Sequence, residues 1–180
     1  MRKSLDSGFT LIELLLVIAI IGIIAAIAVP GLLRARMAGN EASAIASLRV
    51  VNSAQHAYWS GCGHGYYASS LTILGEAPPA GDGFISPDLA TSAVVVKSGY
   101  ELSMQEGSEA HSAPNDGCNP SGLAANLFDS YYATNGPISA QAGSRWFYTN
   151  MLGTLYGDTA DIFSGETVGN LPPTVGTPIQ

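Results

Sequence analysis

Charge is scarce in this chain. Of 180 residues, 12% are charged, with 7 basic side chains against 14 acidic ones and a net charge of −7. From residue 60 onward only Lys97 and Arg145 are basic, against eleven acids, so that stretch carries −9. Such a surface repels a phosphate backbone, so no direct nucleic-acid binding by this part of the chain is expected. There are only 2 cysteines and 3 histidines. Cys62, His64, His56, His111 and Cys118 lack the tight paired spacing of zinc ligands, so no zinc site is expected. A cysteine nucleophile also needs an orienting partner and a pocket, and no motif supplies them; enzymatic activity is not expected. The aromatic residues lie mostly outside the N-terminal 59 residues, which gives no aromatic ladder along that segment.

What the chain does have is one long apolar run. Leu14–Leu33 contains no charged residue, and most positions are Leu, Ile, Val or Ala. Twenty residues at about 1.5 Å rise each match a hydrocarbon layer roughly 30 Å thick. Glu13 stands at the start of this run, where a carboxylate in lipid costs at least a few kcal/mol. No Lys, Arg or His lies between Phe9 and Leu33 to pair with it. An amine made by cutting the chain before Phe9 is one candidate partner.

The residues around that point carry a resemblance. Lys3-Ser4-Leu5-Asp6-Ser7-Gly8 followed by Phe9-Thr10-Leu11-Ile12-Glu13 resembles the cleavage site of the type IV pilin and pseudopilin family. The likeness continues through Ala25-Ala26-Ile27-Ala28-Val29-Pro30 and Leu32-Leu33-Arg34-Ala35-Arg36, and covers about residues 1–60. An ordinary secretory signal places small residues after its apolar core, whereas here the glycine precedes it. The resemblance implies that residues 1–8 are a leader removed by a prepilin peptidase cutting after Gly8. It implies a methylated amine on Phe9, with Glu13 as the carboxylate used in subunit assembly. It also implies an α+β pilin fold, in which a long helix (about 9–59) packs its C-terminal half on a small antiparallel sheet. Residues 9–33 are then the transmembrane and filament-core half, and 34–59 the amphipathic half. Residues 60–170 are expected to form a β-rich head, with 171–180 as a flexible tail.

Within the helix, Gly22 and Pro30 are weak points, since glycine costs about 1 kcal/mol and proline deletes a hydrogen bond. The resemblance implies that the segment between them loses helical bonding in an assembled filament, whereas a single subunit stays mostly continuous. At 100° per residue, Leu33, Met37, Ala44, Leu48, Val51, Tyr58 and Trp59 share a face suited to packing on the head. The opposite face carries Gly39, Ala42, Ser43, Ala46, Val50, Ser53 and Ala57, small enough for another helix to approach. Three glycines among Gly61–Gly65 end the helix near residue 59. Strands are expected at Tyr100–Gln105, by its alternation, and at Tyr131–Thr134, closed by Asn135-Gly136-Pro137. A hairpin is expected from 145–149 and 154–156 around Gly153. Residues 106–122 read as a long loop.

The basic Arg2 and Lys3 precede the apolar run and stay cytoplasmic by the positive-inside tendency, so the rest is exported. Two cysteines in an exported domain point to a Cys62–Cys118 disulfide. Asp158, Asp161 and Glu166 fall in a Gly-bounded loop and are weak calcium candidates, raised by a calcium loop in a comparable late position of major pseudopilins; no EF-hand spacing is present. No other cofactor is expected. The function implied is a structural subunit of a helical pilus filament, held in the inner membrane before assembly and extracellular afterwards. Its partners are copies of itself, the peptidase, an inner-membrane assembly platform and membrane lipid. The alternatives are a pseudopilin of a type II secretion system, or a minor pilin acting as an adhesin.

Overall fold

The computed structural model describes residues 8–79, 81–108, 112–113, 117–118, 127–161, 169 and 171–179. Residues 1–7, His111 and Glu166 lie outside the described residues. The chain divides into two compact units, Met1–Arg36 and Met37–Gln180. Its fold is α+β, a long N-terminal helix with a six-stranded antiparallel sheet.

Helix α1 spans Leu11–Gly61 and runs through Gly22 and Pro30 without interruption. In the second unit its buried positions are Ala44, Ser47, Leu48, Val51, Asn52, Ala54, Gln55 and Tyr58. These recur at three- and four-residue steps, the spacing that keeps one face of a helix inward. Trp59, expected inward, is 44% exposed. It stands 100° round from Tyr58, outside the buried face.

Those polar side chains fix how the helix sits on the sheet. Asn52 Nδ2 donates to Thr149 Oγ1 at 2.8 Å, and Asn52 Oδ1 accepts from the Tyr131 hydroxyl at 3.0 Å. Gln55 bonds both backbone groups of Ala68, donating to its carbonyl at 2.8 Å and accepting from its N–H at 2.9 Å. Asn135 Nδ2 donates to the Ala44 carbonyl at 3.1 Å. A one-turn slip of the helix would orphan all of these groups, at about 1–3 kcal/mol each. Apolar contact alone permits no such discrimination.

After α1 the chain turns through His64 and Gly65, and α2 (Leu71–Gly75) follows, its first turn capped by the Ser70 hydroxyl on the Ile73 N–H. Eight strands come next: β1 Val94–Lys97, β2 Tyr100–Glu106, β3 Ser112–Ala113, β4 Leu127–Phe128, β5 Tyr131–Pro137, β6 Trp146–Asn150, β7 Leu155–Asp158 and β8 Thr177–Ile179. The main sheet has the order β1-β2-β5-β6-β7-β8, and β3 pairs separately with β4. Every pairing is antiparallel. β1 and β2 join through Ser98 (φ +51°) and Gly99 (φ +74°), the left-handed pair that a two-residue hairpin turn requires.

Three expectations change. Asn135-Gly136-Pro137 does not close β5 but extends it, with Pro137 opposite Tyr100 at the strand's end. At Gly136 a Cβ would come within 2.9 Å of the Trp146 ring, so glycine here lets the indole lie across the sheet. The stretch 106–122 is not loop throughout, since Ser112 and Ala113 pair with Phe128 and Leu127. Residues 171–180 are not simply a tail: Leu155, Tyr156 and Gly157 pair with Ile179, Pro178 and Thr177, so the sheet's open edge captures them.

The core beneath the sheet gathers Leu48, Val51 and Tyr58 with Leu71, Leu74, Leu102, Tyr131 and Phe147. Burial pushes the Tyr58 and Tyr100 hydroxyls up to about 12, with further increments from the Glu76 and Glu41 carboxylates respectively. Burial raises Tyr131 too. Unfolded tyrosine titrates near 10. The folded state therefore keeps protons that the unfolded chain releases, so this stabilisation is whole below pH ~10 and drains away as pH rises towards 12. Alkaline titration should show phenolate absorbance and loss of near-ultraviolet circular dichroism rising together above pH ~10. Full phenolate formation with the dichroism intact would contradict this burial.

Cys62, one residue past α1, is bonded to Cys118 across a separation of 56 residues, with Cα atoms 5.0 Å apart. The Cys118 N–H also donates to the Cys62 carbonyl at 3.3 Å. By chain entropy a loop of this size stabilises by about 4 kcal/mol. Replacing both cysteines with serine should lower the unfolding midpoint by on the order of 10 °C. Alkylation of two thiols under denaturing, non-reducing conditions would refute the bridge.

Candidate assembly segment

The first unit has no interior. Phe9 is 78% exposed, and from Leu11 to Leu33 the large apolar side chains all face outward. An 18-residue window of this helix has a mean hydropathy of 3.0, and none of it is buried. By length and composition the helix can cross a membrane. Water is a poor solvent for such a surface, so its partner is lipid or protein outside the chain.

At its head, Thr10 precedes the first helical residue and Glu13 occupies the third. The Thr10 hydroxyl accepts from the Glu13 backbone N–H at 3.3 Å and donates to the Glu13 carboxylate at 3.4 Å. This is a helix cap with the acidic residue at the positive end of the helix dipole. The Thr-x-x-Glu spacing is the sequence signal for it. Glu13 thus has a local partner, but one that leaves its charge uncompensated.

Gly22 has nothing within 4 Å of where a Cβ would stand, so the subunit's own packing does not demand glycine there. Further along α1, Ala42, Ala46, Val50, Ser53 and Ala57 are exposed, as the small-residue face requires. Beside them a groove of about 310 Å³ is lined by Arg49, Val50, Ser53, Ala54, Ala57 and Phe84.

Of the calcium candidates, Asp158 Oδ1 accepts from the N–H groups of Thr159 at 2.7 Å and Ala160 at 3.2 Å, which holds a tight turn. Asp161 follows that turn and lines a groove on the sheet with Glu101 and Trp146. Among the described residues no three His, Cys, Asp or Glu side chains gather as a metal site.

The family described as the prokaryotic N-terminal methylation motif matches residues 3–29. A type IV major pilin protein PilA of Myxococcus xanthus (strain DK1622) is 36% identical over 77 residues, 43% of this chain and 34% of that one. A type IV major fimbrial protein FimA of Dichelobacter nodosus is 75% identical over 28 residues, 16% of this chain and 18% of its own. The matched stretches thus span about a third or less of these relatives' lengths. No solved structure matches the chain. The chain thus carries a prokaryotic N-terminal methylation motif at the head of a long helix, has an α+β fold with an antiparallel sheet, and over the matched stretches is similar to type IV major pilins.

Proposed function

We propose that the chain is a structural subunit of a helical type IV pilus filament. The observation that carries this reading is the methylation motif heading a helix whose entire apolar run is exposed. This exposed run of twenty uncharged residues needs one environment before assembly and another after it. An inner membrane supplies the first, and the packed helices of a filament core supply the second.

In this account a peptidase removes residues 1–8 by cutting after Gly8, and the amine of Phe9 is methylated. Residues 9–33 hold the cut subunit in the inner membrane with the head on the far side, until an assembly platform draws it out. Glu13 then pairs with the Phe9 amine of a neighbour. Gly22 and Pro30 let the intervening helix loosen as copies pack, and the small face from Gly39 to Ala57 meets a neighbouring helix. The acidic heads lie outside.

Among the alternatives, the major-pilin reading is favoured over the secretion pseudopilin and the minor adhesin because the relatives are named as major subunits. Sheared surface filaments should contain this chain as their most abundant protein. Its presence only as a trace component would move it to the minor class, and its absence from filaments would refute the reading.

A further inference from the structure

We propose that Arg34 and Arg36 form a collar that binds the phosphates of anionic phospholipids where α1 leaves the bilayer. This rests on the reading that residues 9–33 lie in a membrane. Between Leu14 and Asn40 these two are the only charged residues, and Arg34 follows directly on the last residue of the apolar run. Both are exposed. Among the described residues neither has an ion partner; the ion pair present joins Lys97 to Asp88. The first acid beyond them, Glu41, already accepts from the Ser144 backbone N–H at 3.1 Å and its hydroxyl at 3.2 Å.

The geometry suits a headgroup layer. Arg34 and Arg36 stand about 1.5 and 4.5 Å beyond Leu33 along the axis, and 200° apart around it. They therefore reach lipids on opposite sides of the helix at nearly one depth. A guanidinium offers a planar fork that fits a phosphate with two hydrogen bonds, and its stem lies along the apolar surface while the head stays at the interface.

Charge balance gives the collar a role. The first basic pair, Arg2 and Lys3, lies before the apolar run, so the uncut chain has two basic side chains at each end of it. Removing residues 1–8 leaves Arg34 and Arg36 as the basic side chains bordering the span. The head beyond residue 60, at −9, is repelled by an anionic surface. The arginines counter that repulsion at the point of exit, and set the depth of the cut chain.

The test uses the full chain reconstituted in vesicles of phosphatidylcholine with one-third phosphatidylglycerol, probed with trace spin-labelled lipid of either kind. The motionally restricted fraction should favour phosphatidylglycerol about fivefold, the ratio expected for one arginine–lipid contact at an anionic surface. Arg34→Gln/Arg36→Gln should bring the preference to unity, while Arg34→Lys/Arg36→Lys should retain most of it. Inorganic phosphate in solution should not displace the lipid. The proposal is overturned if the glutamine variant keeps the preference, if the lysine variant loses it, or if free phosphate abolishes it. A chain that fails to float with vesicles of any composition would overturn the membrane reading as well.

Discussion

A Glu13→Val chain is expected to be cut after Gly8 and to fold, yet to enter filaments at about a hundredth of the wild-type frequency or less. In lipid, valine is the easier residue by a few kcal/mol, because the carboxylate is costly there. In the filament the order reverses. The Phe9 amine of a neighbour would sit in an apolar core with no counter-charge, and breaking a buried pair by removing one partner costs about 3–5 kcal/mol. That range corresponds to more than two powers of ten in incorporation. Glu13→Gln should fail similarly, since an amide keeps a hydrogen bond but not the charge. Thr10→Ala provides the contrast. It removes the cap, worth about 1 kcal/mol, and leaves the carboxylate in place, so its defect should stay below tenfold. Mixed expression with wild-type subunits, read by the mass-spectrometric ratio of the two in sheared filaments, measures all three. Normal filaments built from Glu13→Val subunits would remove the pairing role.

A bulky residue at Gly8 should have an all-or-none effect. Gly8→Leu is expected to leave the full precursor in the membrane and no cut chain. The fold itself gives no reason for glycine there, because nothing lies within 4 Å of the position a Cβ would take. The demand must come from outside the chain, and a protease that grips extended backbone closely on both sides of a bond is such a source. Immunoblotting of membrane fractions separates precursor from product by the eight missing residues. Normal cutting of Gly8→Leu would mean that the cut lies elsewhere.

Much of this architecture is legible in the residues, and the parts that are not share a cause. The apolar run and the motif ahead of it follow from local composition, so the helix could be placed to within two residues at either end. The alternation of Tyr100, Leu102 and Met104 likewise marks β2. β1 is not legible because Val94-Val95-Val96 does not alternate, although of these only Val95 is buried. β8 is not legible because Thr-Pro-Ile in a Pro-rich end looks like a tail; its pairing depends on the open edge that β7 presents. Asn135-Gly136-Pro137 has turn chemistry that a tertiary contact, the Trp146 ring over Gly136, overrides. Asn52 and Gln55 are the instructive case. A helical wheel weighted by apolarity discounts them, yet they are buried because Thr149, Tyr131 and Ala68 wait on the other side. Such partners can be distant in sequence, by up to 101 residues for Asn52.

For the candidate assembly segment, the residue types were readable but the local partnership was not. Glu13 stands out in the sequence for being charged in an apolar place. That Thr10 already holds both its backbone and its carboxylate is a matter of helix geometry at the third position.

The most direct test of the central claim is the intact mass of the chain recovered from sheared, purified filaments. A polymerising subunit processed as described must begin at Phe9, carry one methyl group on its amine, and run two hydrogen masses light for the Cys62–Cys118 bond. Filament protein that begins at Met1, or filaments from which the chain is missing while it stays in the membrane, would contradict the account.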